Sequence, residues 1–232
     1  MNETTSSRFS DGLVVGIPIA LGYFPIAFAF GVAATSQGLS GWEAFGLSLI
    51  IYAGAAQFLA LSLITGGAPL IVAALTLIAM NLRHVLYGPA LMKAAGSDRR
   101  KHAWAWAFGL TDEVFGAALG ALAKGKAFSE GFMFGLGAMA YGAWLSGTAL
   151  GAWAGGGALA GYPAVEAGLS FMLPALFLAL LLSILSRAAL PAIGVAMGLC
   201  IAVSLMLDPT AGVLAGMIGG AMAGVLGRRN EI

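Results

Sequence analysis

Charged residues are scarce in this chain, and cysteine is scarcer still. Charged residues make up 9% of its 232 positions, whereas a soluble domain carries about 25%. That shortage excludes an ordinary soluble fold. Cys200 is the one cysteine, so no intramolecular disulfide can form. There are two histidines, and His84 has no second histidine within a helical turn, so no zinc site is expected. The chain has no H-E-x-x-H, no P-loop and no G-x-S-x-G, and no enzyme chemistry or cofactor is expected from it. The basic residues sit at loop positions instead of forming a patch interleaved with aromatics, so nucleic acid is not an expected partner.

Apolar sequence fills the space. The chain is 60% hydrophobic with a mean hydropathy of +0.94. A spanning helix needs about 20 mostly apolar residues, and windows of that kind fall at roughly 12–35, 44–65, 70–92, 103–123, 128–153, 169–186, 189–207 and 209–227. The connections are short, and alternating barrel strands are absent from the pattern. The expectation is one all-α, polytopic transmembrane bundle over residues 1–232 with seven to eight membrane segments.

Lys and Arg avoid the connections around 36–43, 154–168 and 208. The positive-inside rule puts those connections outside and both termini in the cytoplasm. The 93–101 loop disobeys if every window spans. If that loop is inside, one window before it and one after it are re-entrant or half-spanning, and the charged windows 70–92 and 103–123 are the natural candidates. Pro18, Gly22 and Pro25 crowd the first window, and Pro174 takes a comparable place in the sixth, so breaks are expected at these prolines. Phe24 to Phe28 can be laid over Leu173 to Phe177, which leaves an internal repeat open. Gly212, Gly216, Gly220 and Gly224 recur every four residues, either as a bundle-packing face or as a docking face for a second subunit.

Two windows carry charge at their midpoints. Asn81-Leu82-Arg83-His84-Val85-Leu86-Tyr87 lies inside one, and Thr111-Asp112-Glu113 inside the next. Each such charge costs roughly 2.5–3.5 kcal/mol at the bilayer centre. Arg83 is about 3 Å along the axis from its window's centre, too deep to reach the interface easily, and it needs an anion. Adjacent acids point in different directions, so one can pair with Arg83 while the other faces a cavity. A carboxyl between lipid, which raises its pKa, and a guanidinium, which lowers it, can exchange a proton near neutral pH. The competing possibility is a structural ion pair. Read as one helix, Asn81, His84 and Tyr87 share a stripe. Gln57 places an amide near the middle of the second window, and an interhelical hydrogen bond would explain it equally well. Tyr141 and Trp144 suit packing better than ligand contact, and His102 suits a solvated loop edge.

The stretch from Phe45 to Phe58, the Asn81–Gly88 block, the Gly109–Phe115 block and the Phe171–Leu178 stretch together resemble the AzlC family. That family comprises large subunits of bacterial branched-chain amino acid exporters. The resemblance runs from about Gly16 to Leu207. It implies a secondary carrier in the bacterial inner membrane that exports valine, leucine, isoleucine and also methionine. It further implies a small AzlD-type membrane subunit as partner, and it is compatible with homo-oligomers. The chemistry of the residues adds the site. Gln57, Asn81, Arg83, His84, Tyr87, Thr111, Phe24 and Pro25 are the expected substrate-binding residues, and Asp112 and Glu113 the proton-coupling pair. A passive channel and a non-transporting scaffold subunit are the rival readings.

Overall fold

The computed structural model describes residues 8–96, 101–158 and 185–229, with isolated positions between 162 and 182. Every regular element among them is helical, with no strand. Phe9–Ser36 and Leu70–Ala94 are long and apolar enough to cross a membrane. The protein is an all-α membrane protein. The chain divides into two compact units, Met1–Ser62 with Leu77–Leu173, and Leu63–Thr76 with Pro174–Ile232.

The first unit is built on two long helices, α1 (Phe9–Ser36) and α8 (Glu130–Trp153), which lie side by side and run in parallel. In lipid there is no hydrophobic drive between helices, so close backbone packing must hold them. Glycine supplies it. A Cβ on Gly151 would run into the Phe28 carbonyl, and one on Gly135 into the Phe9 carbonyl. A Cβ on Gly147 would sit 2.6 Å from the Phe24 oxygen. Gly151→Ala should therefore lower stability by about 1–3 kcal/mol. Gly46 has open space around its Cβ position, and Gly46→Ala should leave stability unchanged or slightly raised. Thermal unfolding of the two variants in detergent compares them directly.

α1 runs unbroken through Pro18 and Pro25, which corrects the expectation of a break there. A proline removes one backbone bond, and neighbouring helices can absorb that loss in a membrane helix. The counterpart expected at Pro174, and the repeat that depends on it, lie outside the described residues.

The breaks come elsewhere, in the middle of the next three apolar windows. The second window divides into α2 (Gly41–Ile51) and α3 (Gly54–Thr65). α2 opens with a capping box in which the Ser40 hydroxyl and N–H both donate to Glu43, holding that carboxyl below its ordinary range. The third window divides into α4 (Leu70–Asn81) and α5 (His84–Ala94), and the fourth into α6 (Ala103–Phe108) and α7 (Asp112–Ala123).

In the second unit, α9 (Leu190–Met206) and α10 (Pro209–Arg229) form an antiparallel pair. The glycine stripe of α10 faces α9. A Cβ on Gly216 would stand 2.7 Å from the Ala196 carbonyl, and one on Gly220 2.7 Å from the Ala196 Cβ. Of the two readings of that stripe, bundle packing is the one observed.

Candidate site at three helix breaks

Each break has its own local cause. In the fourth window, Gly109 and Leu110 close tight turns onto Trp106 and Ala107. Thr111 then takes an extended backbone and caps α7, its hydroxyl accepting the Val114 N–H at 3.3 Å. Asp112 and Glu113 follow in the first helical turn, where the helix dipole favours negative charge. In the third window the break is milder. Val85 and Leu86 donate three residues back, to Leu82 and Arg83, a 3₁₀-type turn of the sort that often marks a hinge. In the second window Tyr52 adopts the left-handed conformation with φ 37° and ψ 48°. Among the described residues it is the one non-glycine with positive φ, a geometry that costs about 1–3 kcal/mol.

The breaks in the third and fourth windows share a charged network. Arg83 Nη2 lies 2.8 Å from Asp112 Oδ2. The Tyr87 hydroxyl donates to the other Asp112 oxygen, and His84 Nε2 stands 3.8 Å from that same oxygen. Tyr87 stacks on Phe115 with ring centroids 4.6 Å apart, which fixes the phenol over α7. Asp112 is thus approached by a cation, a phenol and an imidazole. Arg83 and Asp112 are about half exposed, at 53% and 44%.

Glu113 points elsewhere. It accepts a hydrogen bond from the Tyr23 hydroxyl of α1, and that hydroxyl also lies 2.6 Å from the Thr111 hydroxyl. The two adjacent acids therefore serve separate networks.

Gln57 belongs to a third group, fully buried at 0% exposure. Its amide N–H donates to the Ser48 hydroxyl, which lies 2.6 Å from Thr148 Oγ1. Its carbonyl accepts the Trp144 indole N–H at 3.0 Å. Every polar end has a partner, so this cluster ties the second window to α8. Trp144→Phe would strand the buried amide carbonyl and should cost about 1–3 kcal/mol. The expected readout is a lower unfolding temperature in detergent.

The structure brings together six of the residues expected from sequence: Arg83, His84, Tyr87, Thr111, Asp112 and Glu113. It leaves four apart. Gln57 is sealed in its own cluster. Asn81 donates to the Leu77 carbonyl at 2.9 Å, because the turn at Leu82–Arg83 separates it from the stripe that a continuous helix would have made. Phe24 and Pro25 line a different feature, an apolar groove of 680 Å³ between α1 and α8 with Leu21 and Met139.

Sequence reasoning missed Tyr23, whose one signal was a phenol beside Gly22 in an otherwise apolar span. It also missed His102, which is not simply solvated: its N–H donates to Glu130 at 2.8 Å and its ring lies 3.2 Å from the same carboxylate.

Three comparisons bear on this arrangement. The model of the family described as AzlC protein matches residues 18–158, which hold all three breaks. Inner membrane protein YgaZ of Escherichia coli (strain K12) is 45% identical over 184 residues, 78% of this chain and 75% of the relative. A membrane protein of Archaeoglobus fulgidus is 38% identical over 177 residues, 76% of each chain. The branched-chain amino acid transport protein AzlC of Bacillus subtilis (strain 168) is 26% identical over 173 residues, 74% of this chain and 66% of the relative. No solved structure matches the chain significantly.

Proposed function

The chain belongs to the AzlC family, and from that premise we propose that it is a secondary exporter of branched-chain amino acids driven by the proton gradient. The observation that carries the reading is the Arg83–Asp112 pair at two mid-window helix breaks, with Glu113 held apart on Tyr23. Discontinuous helices of this kind bind substrates and coupling ions in transporters.

Valine, leucine, isoleucine and methionine are zwitterions with apolar side chains. The carboxylate competes with Asp112 for Arg83, and the open first turn of α7 presents further N–H groups to it. Asp112 then keeps the Tyr87 phenol as its donor. The ammonium is held by a carboxylate, and Glu113 has the freer position. Outside the cell, protonation of a carboxylate weakens its hold on the ammonium and the amino acid leaves. Inside, the proton is lost and Arg83 falls back on Asp112 until the next substrate arrives. With substrate absent, neither charge of the pair is left without its partner.

The relative from B. subtilis is named for branched-chain amino acid transport, which supports the substrate class. The E. coli relative is named as an inner membrane protein, which supports placement in the cytoplasmic membrane. In this reading the chain is multi-pass with cytoplasmic termini and works with a small AzlD-type membrane subunit. The test is leucine loss from cells loaded with a leucine-containing dipeptide. Cells expressing the chain with its small partner should clear leucine faster than cells without it. Equal rates would remove the exporter reading.

A further inference from the structure

Tyr52 carries two local costs at once. Its backbone is left-handed, and its ring is buried at 4% exposure. Its hydroxyl is the one buried side-chain polar atom, among the described residues, that has no hydrogen-bond partner. A buried unpaired hydroxyl typically costs about 1–3 kcal/mol and calls for an explanation. Phenylalanine in the same place would keep the ring and avoid the second cost.

The surroundings say what the hydroxyl is for. Tyr52 sits at the α2–α3 break, next to the open first turn of α3. Its ring lies 6.5 Å from Tyr23, the residue that holds Glu113, and 6.5 Å from Trp144. Tyr141 closes the other side at 4.7 Å and donates its own hydroxyl to the Leu49 carbonyl. The Glu113 carboxylate is held one ring away, on the Tyr23 hydroxyl. Arg83 is occupied by Asp112 in the neighbouring network. A hydroxyl, a carboxylate and several ring faces, with no cation among them, form a setting for a primary ammonium group, because the ring quadrupole and the acid both attract positive charge.

We infer that the Tyr52 hydroxyl is a substrate contact which, with Glu113 and Tyr23, binds the ammonium end of the transported amino acid. This deepens the exporter reading and rests on it. It divides the zwitterion between two networks, with the carboxylate at Arg83 and the ammonium between Tyr52 at the α2–α3 break and the Glu113 side chain.

The test uses the full chain with its small partner in liposomes, comparing wild type with Tyr52→Phe. Leucine is the substrate. Isoamylamine, which lacks the carboxylate, and 4-methylpentanoate, which lacks the ammonium, are the competitors. The variant should raise the KM for leucine about tenfold, the size of one lost hydrogen bond to a charged group. Its kcat should stay within about twofold, and its unfolding temperature should be equal or higher. The inhibition constant of isoamylamine should rise in parallel, and that of 4-methylpentanoate should not. A purely structural tyrosine would leave both constants unmoved. An unchanged KM in Tyr52→Phe, beside a wild type that transports leucine, overturns this inference alone, as does an equal shift for the two competitors. A wild type that moves no leucine overturns the exporter reading and this inference with it.

Discussion

Replacing Arg83 with alanine should abolish leucine export while the protein still inserts in the membrane. Arg83 makes the ion pair with Asp112, and in the proposed cycle it also receives the substrate carboxylate. Its loss leaves Asp112 with a phenol and an imidazole, neither of which can replace a permanent cation at neutral pH. The substrate anion loses its countercharge at the same time. Arg83 serves both Asp112 and the substrate carboxylate, and a hydrogen bond to a charged group is worth about 1.5–3 kcal/mol, so the initial export rate should fall by at least about a hundredfold. Asp112→Asn should fall as far, because the empty carrier then holds Arg83 without an anion. Arg83→Lys should recover only part of the rate, since an ammonium lacks the planar fork that engages a carboxylate through two bonds. Export rates normalised to membrane protein level check all three variants. Wild-type rates in Arg83→Ala and Asp112→Asn would take the site away from this pair.

Glu113→Gln is expected to separate exchange from coupling. Glu113 is held by Tyr23 on α1, away from the Arg83–Asp112 pair. Glutamine is nearly isosteric and can still accept from the Tyr23 hydroxyl. It cannot take up or release a proton. Leucine–leucine exchange across liposomes should therefore survive within about tenfold, because an ammonium loses one charge-assisted bond and keeps the rest of its contacts. Export driven by a pH gradient should drop to the rate seen without one. If Glu113→Gln still responds fully to the gradient, coupling belongs to Asp112 or to another group.

Much of this was legible in the sequence, and the misreadings have physical causes. The helical membrane class follows from composition, since so few charges over such long apolar runs leave little else. The meeting of Arg83 with Asp112 was foreseeable because a cation that deep needs an anion, and the next window supplied one. The positions of the breaks were misjudged. Prolines suggested a break in α1, yet α1 continues through both, packed along α8 by glycines. The true signals were capping signals. Thr111-Asp112-Glu113 reads as an N-cap followed by an acidic first turn, a helix start in the middle of an apolar window. Reading that window as one helix hid the start. The same assumption put Asn81 on a stripe with His84, which the turn at Leu82–Arg83 removes. Gln57 was visible as an amide at membrane depth, but its partners Ser48, Trp144 and Thr148 come partly from a helix distant in sequence. Nothing local could show that the amide is fully satisfied. Tyr52 was equally unreadable, because tyrosine has no preference for a left-handed turn and its unpaired hydroxyl is a property of tertiary packing.

The charged network at the helix breaks is central because it gives one physical reason for substrate binding and proton coupling together. The most direct test is leucine efflux from liposomes that contain the purified chain and its small partner, measured with and without an imposed pH gradient. The account predicts efflux that saturates with leucine and accelerates when the side receiving leucine is acidified. Efflux that rises linearly with leucine and ignores the gradient would contradict it, and the chain would then be a passive pore.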